Sequence, residues 1–269
     1  MPLISPDSRA RLKSRYPQLE VLYRSYKSTA MGRFMAERKL MREHDAEVQH
    51  YKDRFTNHGD YISTNGSDKW IIEEIFKQKT GGFFVECGAY TGAKKSNTFI
   101  LEQFYNWSGI CIEPNPVYFK KLQRARSCIC LDDCVDGKEG EVEFLCYKTT
   151  GGIVAQDTDN DTKTASKKLH RFDRSSKIVR MKTKTLGQIL KECSAPNIID
   201  FLVLDVEGAE TRIMESFPFD EYRFRTMVIE RPTSKLKNYF LRNGYKSAKK
   251  GCTDIFFIHE SLELDALSQ

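Results

Sequence analysis

No stretch of this sequence approaches the roughly 20 consecutive apolar residues of a membrane-spanning helix. Its start, Met1-Pro2-Leu3-Ile4-Ser5-Pro6-Asp7, has none of the apolar core that a secretory signal carries. These absences predict a soluble, cytoplasmic chain, although removal of an N-terminal anchor leaves the same pattern. Metal-binding cysteine pairs are lacking too. Of the eight cysteines, Cys128-x-Cys130 has neither the spacing nor the second ligand pair of a zinc site. Cys87, Cys111, Cys128, Cys130 and Cys146 fall in predicted strands, where a thiol behaves as a small buried hydrophobe. His170 and His259 stand alone and receive no catalytic role. There is no strong charge excess either: a net charge of +6 does not by itself imply nucleic acid.

What is present is enough for one large α/β domain with an extension, since 269 residues at 40% hydrophobic content can bury a sizeable core. The most informative stretch is Phe83-Phe84-Val85-Glu86-Cys87-Gly88-Ala89-Tyr90-Thr91-Gly92. A run of strand formers stops at an acid, and small residues follow before a helical pattern, which is how a strand hands a ligand to a helix N-terminus. A dinucleotide fingerprint, G-x-G-x-x-G, needs glycine at position 86, where this chain has Glu86. An acid there repels a pyrophosphate and suits a cationic ligand, while Gly88 and Gly92 let backbone approach closely.

Before that stretch, residues 1 to 58 read as a basic helical extension. Leu19, Leu22, Tyr23 and Tyr26 recur at helical spacing, as do Met31, Phe34 and Met35, and then Val48, Tyr51 and Phe55. The extension either packs on the main domain, 59–269, or arches over its substrate site. Asn65-Gly66 signals a turn, and Ser67 or Asp68 caps a helix carrying Trp70, Ile71, Ile72, Ile75 and Phe76. Ser96-Asn97-Thr98 caps the helix that follows the glycine turn.

Acids then recur at strand ends. The second predicted strand, Gly109 to Ile112, runs into Glu113-Pro114-Asn115, and an acid at that place grips a ribose diol in nucleotide-binding α/β folds. A third, Cys128 to Leu131, ends at Asp132-Asp133, which either reach an adenine edge or cap a turn. Glu141 to Tyr147 reads as an extra strand. Gly151 to Lys184 is polar and basic, with Lys163, Lys167, Lys168, His170, Arg171, Arg174, Lys177, Arg180, Lys182 and Lys184. It is either a solvated loop or a mobile lid that attracts an anionic substrate. The near-continuous apolar run Ile198-Ile199-Asp200-Phe201-Leu202-Val203-Leu204 predicts a central parallel strand, with Asp205, Glu207 and Glu210 after it. Met227-Val228-Ile229-Glu230 is another acid-tipped strand, and Tyr245 to His259 reads as a closing antiparallel hairpin.

Taken in order, Phe84-Val85-Glu86-Cys87-Gly88-Ala89 with Gly92, Ser96-Asn97-Thr98, Ile112-Glu113-Pro114 and Asp200 through Glu210 resemble the FkbM-type family of class I S-adenosylmethionine-dependent methyltransferases. The resemblance implies a Rossmann-like, mostly parallel seven-stranded sheet ending in an antiparallel hairpin, and O-methylation of a sugar or small-molecule hydroxyl. It implies that Glu86, Gly88 and Gly92 line the methionine end of the cofactor, that Glu113 holds the ribose hydroxyls, and that Asp68 helps close the pocket. Ala89, Tyr90, Asn97, Pro114, Asp132, Asp133 and Asp205 are the further expected cofactor-binding residues.

Methyl transfer is an in-line displacement, so positioning supplies most of what a protein must contribute, and a hydroxyl acceptor must also lose its proton. Asp205 and Glu207 are the expected base and orienter, and they share a face if the strand continues through them. A divalent metal held by Asp205 and Glu230 is the alternative. An RNA ribose 2'-hydroxyl is a second acceptor class, on account of the basic segments, and a non-catalytic binding module is a third reading of the same fold.

Overall fold

The run Ile198–Leu204 forms the central strand of the sheet because six of its seven residues are buried between layers on both faces. The computed structural model describes residues 29–170 and 176–262, so the expected helix through Leu19, Leu22, Tyr23 and Tyr26 lies outside the described residues. The main sheet comprises β1 (Phe83–Cys87), β2 (Ser108–Ile112), β3 (Ile129–Leu131), β8 (Ile198–Leu204), β9 (Arg223–Glu230), β10 (Tyr245–Lys250) and β11 (Asp254–His259). Their order is β10-β11-β9-β8-β1-β2-β3, with β11 antiparallel to both neighbours and the other pairings parallel. The expected mostly parallel seven-stranded sheet with a closing antiparallel hairpin is therefore present.

Strand periodicity divides the core in two. Ile110, Val85, Leu202, Met227 and Phe257 form one row in register across five strands and bury into one cluster. Phe84, Cys111, Phe201, Val203, Val228 and Phe256 point the opposite way into a second. The first face is covered by α6 (Leu186–Glu192), α7 (Glu210–Glu215) and α8 (Ser234–Arg242). Against the second pack α2 (Ser67–Lys69) with the π-helical turn Trp70–Ile75, α3 (Phe99–Tyr105) and α4 (Pro116–Ala125).

Residues 1–47 and 48–269 are two compact units. Helix α1 (Ala30–His58) includes the end of the first unit and the start of the second. In the first, Met31, Phe34, Met35 and Leu40 are exposed. In the second, Val48, Tyr51 and Phe55 pack on the Trp70 side of the core, as their helical spacing predicts. Among the described residues no helix is long and apolar enough to cross a membrane.

The segment 151–184 departs from the expected solvated loop. It contributes β6 (Gly152–Ile153), α5 (Thr162–His170) and β7 (Lys177–Lys184) to a second, four-stranded sheet with β4 (Cys134–Val135) and β5 (Gly140–Cys146), ordered β4-β7-β5-β6. Val179, Met181 and Thr183 alternate with more exposed charged residues in β7, a period of two that the density of basic residues disguises. Arg180 faces Glu143 and Lys182 faces Glu141 in the β5 register, so residues of opposite charge are neighbours across the strands. Arg171 and Arg174 lie outside the described residues, as does the side chain of His170.

The two-faced sheet predicts that Leu202→Ala, at a fully buried central position, lowers stability by about 2–5 kcal/mol in urea unfolding. A loss under about 1 kcal/mol would contradict this account of the core.

Candidate active site

The carboxyl ends of β1, β2 and β8 meet at one turn. Asp205 N donates to Cys87 O at 3.1 Å, and the amides of Gly88 and Ala89 both donate to Ile112 O at 3.0 Å. Gly88 has φ +86, and a Cβ there would stand 2.0 Å from Asp205 O, so both the conformation and the space demand glycine. Gly92, at φ +81, serves a different contact: a Cβ there would meet Arg126 Cγ and Leu122 Cδ1 at 2.9 Å, so it seats the loop on α4 and does not line the cavity.

Glu86 lies in the wall beneath this turn and is buried. Its carboxylate accepts from Ser96 Oγ at 3.0 Å, Asn97 N at 2.8 Å, Asn97 Nδ2 at 3.2 Å and Thr98 Oγ1 at 2.6 Å. Arg126 Nη1 lies 3.6 Å from the same carboxylate. The guanidinium is itself buried, donates to Gly92 O and Ser96 Oγ at 3.2 Å and to Thr98 Oγ1 at 2.8 Å, and pairs with Glu102. Glu86 therefore holds the loop that carries Asn97 to the cavity, with its lone pairs engaged by the protein.

Glu113 sits across the turn. Its carboxylate accepts from Tyr90 N at 3.0 Å and Asn115 N at 2.8 Å, and burial raises its pKa to about 7 against those two bonds. Tyr90 adopts φ +51 to bring its amide there. Ala89, Tyr90, Pro114, Cys134 and Val135 line the same cavity. Asp132 and Asp133 do not: Asp132 is exposed, and Asp133 pairs with Lys184 at 3.1 Å. Asp68 is also behind the wall. Its carboxylate accepts from Ile62 N, Ser63 N and Ser63 Oγ, which fixes the chain that delivers Thr64 and Asn65 to the cavity rim.

The strand β8 stops at Leu204, so Asp205 and Glu207 do not share a strand face. Glu207 takes φ +60, yet both side chains still reach the cavity. Asp205 is an exposed residue on the cavity wall. Its pKa is raised well above the usual carboxylate range by desolvation, then by the charge of Glu230 and a hydrogen bond with it, and by Glu207 and Asp254. Glu207 is raised to about 7 by desolvation and Glu230, against the opposing effect of Arg231. Glu210 is buried and accepts from Val206 N at 3.0 Å and Gly208 N at 3.2 Å, holding this turn in shape.

These groups surround a cavity of about 330 Å³, at the lower end of small-ligand sites. Residues 86–247 match the methyltransferase FkbM domain. The chain belongs to the FkbM methyltransferase family. Among solved structures it is similar to the METTL16 MTase domain, at 13% identity over 71% of this chain and 64% of that one, with a TM-score of 0.38. A human methyltransferase 10 domain containing protein is 12% identical over 81% of this chain and 95% of that one, TM-score 0.39. A methyltransferase from Pyrococcus furiosus is 14% identical over 80% and 98%, TM-score 0.37. No curated protein matches the chain.

The FkbM domain accounts for the turn and the acid-tipped strands, and it identifies the chain as a methyltransferase. Several residues that build its cavity have no local signature in the sequence. Arg126 is one of 43 basic residues and follows an ordinary amphipathic helix. Cys134 and Val135 lie just past the acids chosen for the base, and Asp254 reaches the cavity from the hairpin. Because Arg126 is a buried cation with two buried acid partners, Arg126→Met is expected to destabilise the FkbM domain by about 3–5 kcal/mol in denaturant unfolding. An unchanged unfolding midpoint would show that the loop does not depend on it.

Proposed function

We propose that this domain transfers a methyl group from S-adenosylmethionine to a hydroxyl of a glycan or small metabolite. The observation that carries the reading is the convergence of Glu113, Asp205 and Glu230, the tips of three parallel strands, with the Gly88 turn on one cavity. The cavity suits the cofactor chemically. Glu113 has lone pairs left for a ribose diol after two amide bonds, and Ile112, Cys134 and Val135 offer apolar surface to a base. The Gly88–Ala89 turn, Asn97 and Asp205 would border the methionine end. When bound, S-adenosylmethionine supplies an electrophilic methyl carbon.

The acceptor end is bordered by Asp205, Glu207, Glu230 and Asp254. Carboxylates accept hydrogen bonds from several hydroxyls at once and repel a phosphodiester, which favours a polyhydroxylated acceptor over RNA. Arg180 and Lys182 lie opposite Glu143 and Glu141 in the strand register, and this mixture of charges supports the same choice, since it dilutes the basic surface that nucleic acid would need. In this reading Asp205, made more basic by its acidic neighbours, accepts the hydroxyl proton and Glu207 orients the acceptor.

Calorimetry with S-adenosylmethionine is the first test, and no binding by the wild-type protein would sink the proposal. Binding that needs ionised Glu113 should tighten about tenfold between pH 6 and pH 8, because a carboxyl titrating near 7 is mostly protonated at the lower value. Glu113→Gln should flatten that dependence. With labelled cofactor and separate pools of glycans, small polyols and RNA, label should enter a hydroxylated, phosphate-free pool. Asp205→Asn should slow that transfer by about 10²–10⁴-fold at saturating cofactor. Equal turnover would remove Asp205 from the chemistry, and preferential labelling of RNA would favour the second acceptor class.

A further inference from the structure

Three loops meet at the rim behind the acceptor end. Glu207 follows β8, Arg231 follows β9 and Glu230, and Asp159 lies in the segment between β6 and α5. Carboxylate oxygens of Asp159, Glu207 and Glu230 lie within 4.8 Å of one another, a spacing that could hold a metal ion. The point where they converge is taken by a single nitrogen. Arg231 Nη2 lies 2.9 Å from Glu230, 3.1 Å from Glu207, and also bonds Asp159. Neither Glu207 nor Arg231 is glycine, yet they sit at φ +60 and +40, so the chain accepts a disfavoured backbone at two of the four residues that make this contact.

We infer that Arg231 is a positioning residue: its guanidinium occupies the place a divalent ion would take among these acids and ties the Asp159 loop across the acceptor end. The inference rests on the acceptor end proposed above only for the location of that closure. Three further bonds hold the same loop and its neighbours. Asp159 N donates to Glu207 O at 3.0 Å, and Lys168 Nζ, from α5, donates to Asn160 Oδ1 and Thr150 O at 2.7 Å. The charge-assisted contacts of Arg231 Nη2 join the loop to both strand ends, whereas each of these bonds reaches only one neighbour.

Mn²⁺ is the probe, read by calorimetry and by the paramagnetic relaxation of water, with no cofactor or acceptor present. Wild-type protein should bind it no more tightly than about 1 mM, the weak limit of oxygen-ligand sites. Arg231→Ser, at a half-exposed position whose loss should not unfold the domain, releases the three acids and should bind one Mn²⁺ at least about tenfold more tightly. Asp159→Asn in that background should abolish the gain. In amide exchange, Arg231→Ser without metal should raise the rate at Asp159 at least about tenfold, and Mn²⁺ should restore protection. Tight one-to-one Mn²⁺ binding by wild type, or no gain in Arg231→Ser while its melting curve stays cooperative, would overturn the inference. Unchanged exchange at Asp159 would do the same. Because these measurements use neither cofactor nor acceptor, failure of the methyl-transfer reading appears separately, as absent S-adenosylmethionine binding.

Discussion

Position 88 can hold nothing larger than a hydrogen, because the carbonyl of Asp205 occupies the space in which a Cβ would stand. That close approach joins the first strand of the domain to its central one exactly where both leave the sheet, and the rest of the site depends on it. With β8 brought against the turn, Asp205 N can reach Cys87 O, and the amides of Gly88 and Ala89 can share Ile112 O. The three strand ends are then fixed relative to one another by backbone bonds alone. Side chains projecting from them inherit that rigidity, which is why acids some ninety to a hundred and twenty residues apart in the chain can border a single small cavity.

The charge distribution follows from the same placement. Basic residues between 160 and 184 look in one dimension like a surface for an anion, but β7 lays Arg180 and Lys182 beside Glu143 and Glu141. Lys184 is drawn to Asp133 and Glu192, and Lys168 to the Thr150 and Asn160 oxygens. Part of the positive charge is therefore engaged with nearby oxygens, while negative charge collects at the strand tips. Field focusing in a partly enclosed cavity strengthens that contrast and raises the carboxyl pKa values there.

How far the sequence discloses this depends on whether a feature is local. The apolar run of β8, the alternation of the hairpin, and the strand-to-glycine turn at 83–92 are periodic or contiguous, and the structure contains them where periodicity places them. β7 had a legible period of two in Val179, Met181 and Thr183, obscured because its outward positions are almost all basic. Arg126 and Arg231 could not be read at all. Each acts by filling a gap between acids from distant segments, and a single arginine carries no mark of the partners it will meet. Asp132 and Asp133 show the converse error: strand-end position alone pointed to them, but the chain turns so that the next two residues face the cavity.

Acids at successive strand ends thus share a topological address and differ in chemistry according to what surrounds each. Glu86 is held by Ser96, Asn97, Thr98 and Arg126, so its oxygens shape a loop. Glu113 meets only two amides and burial, which leaves it titrating near neutrality with acceptor capacity to spare. Asp205 shares a hydrogen bond with Glu230, and desolvation together with its acidic neighbours pushes its pKa well above the usual carboxylate range. Glu207 is pulled in both directions, towards neutrality by burial and Glu230 and towards ionisation by Arg231. Basicity, and with it the capacity to take a proton from an acceptor, is therefore graded along one sheet edge by neighbours that lie off the strands carrying the acids.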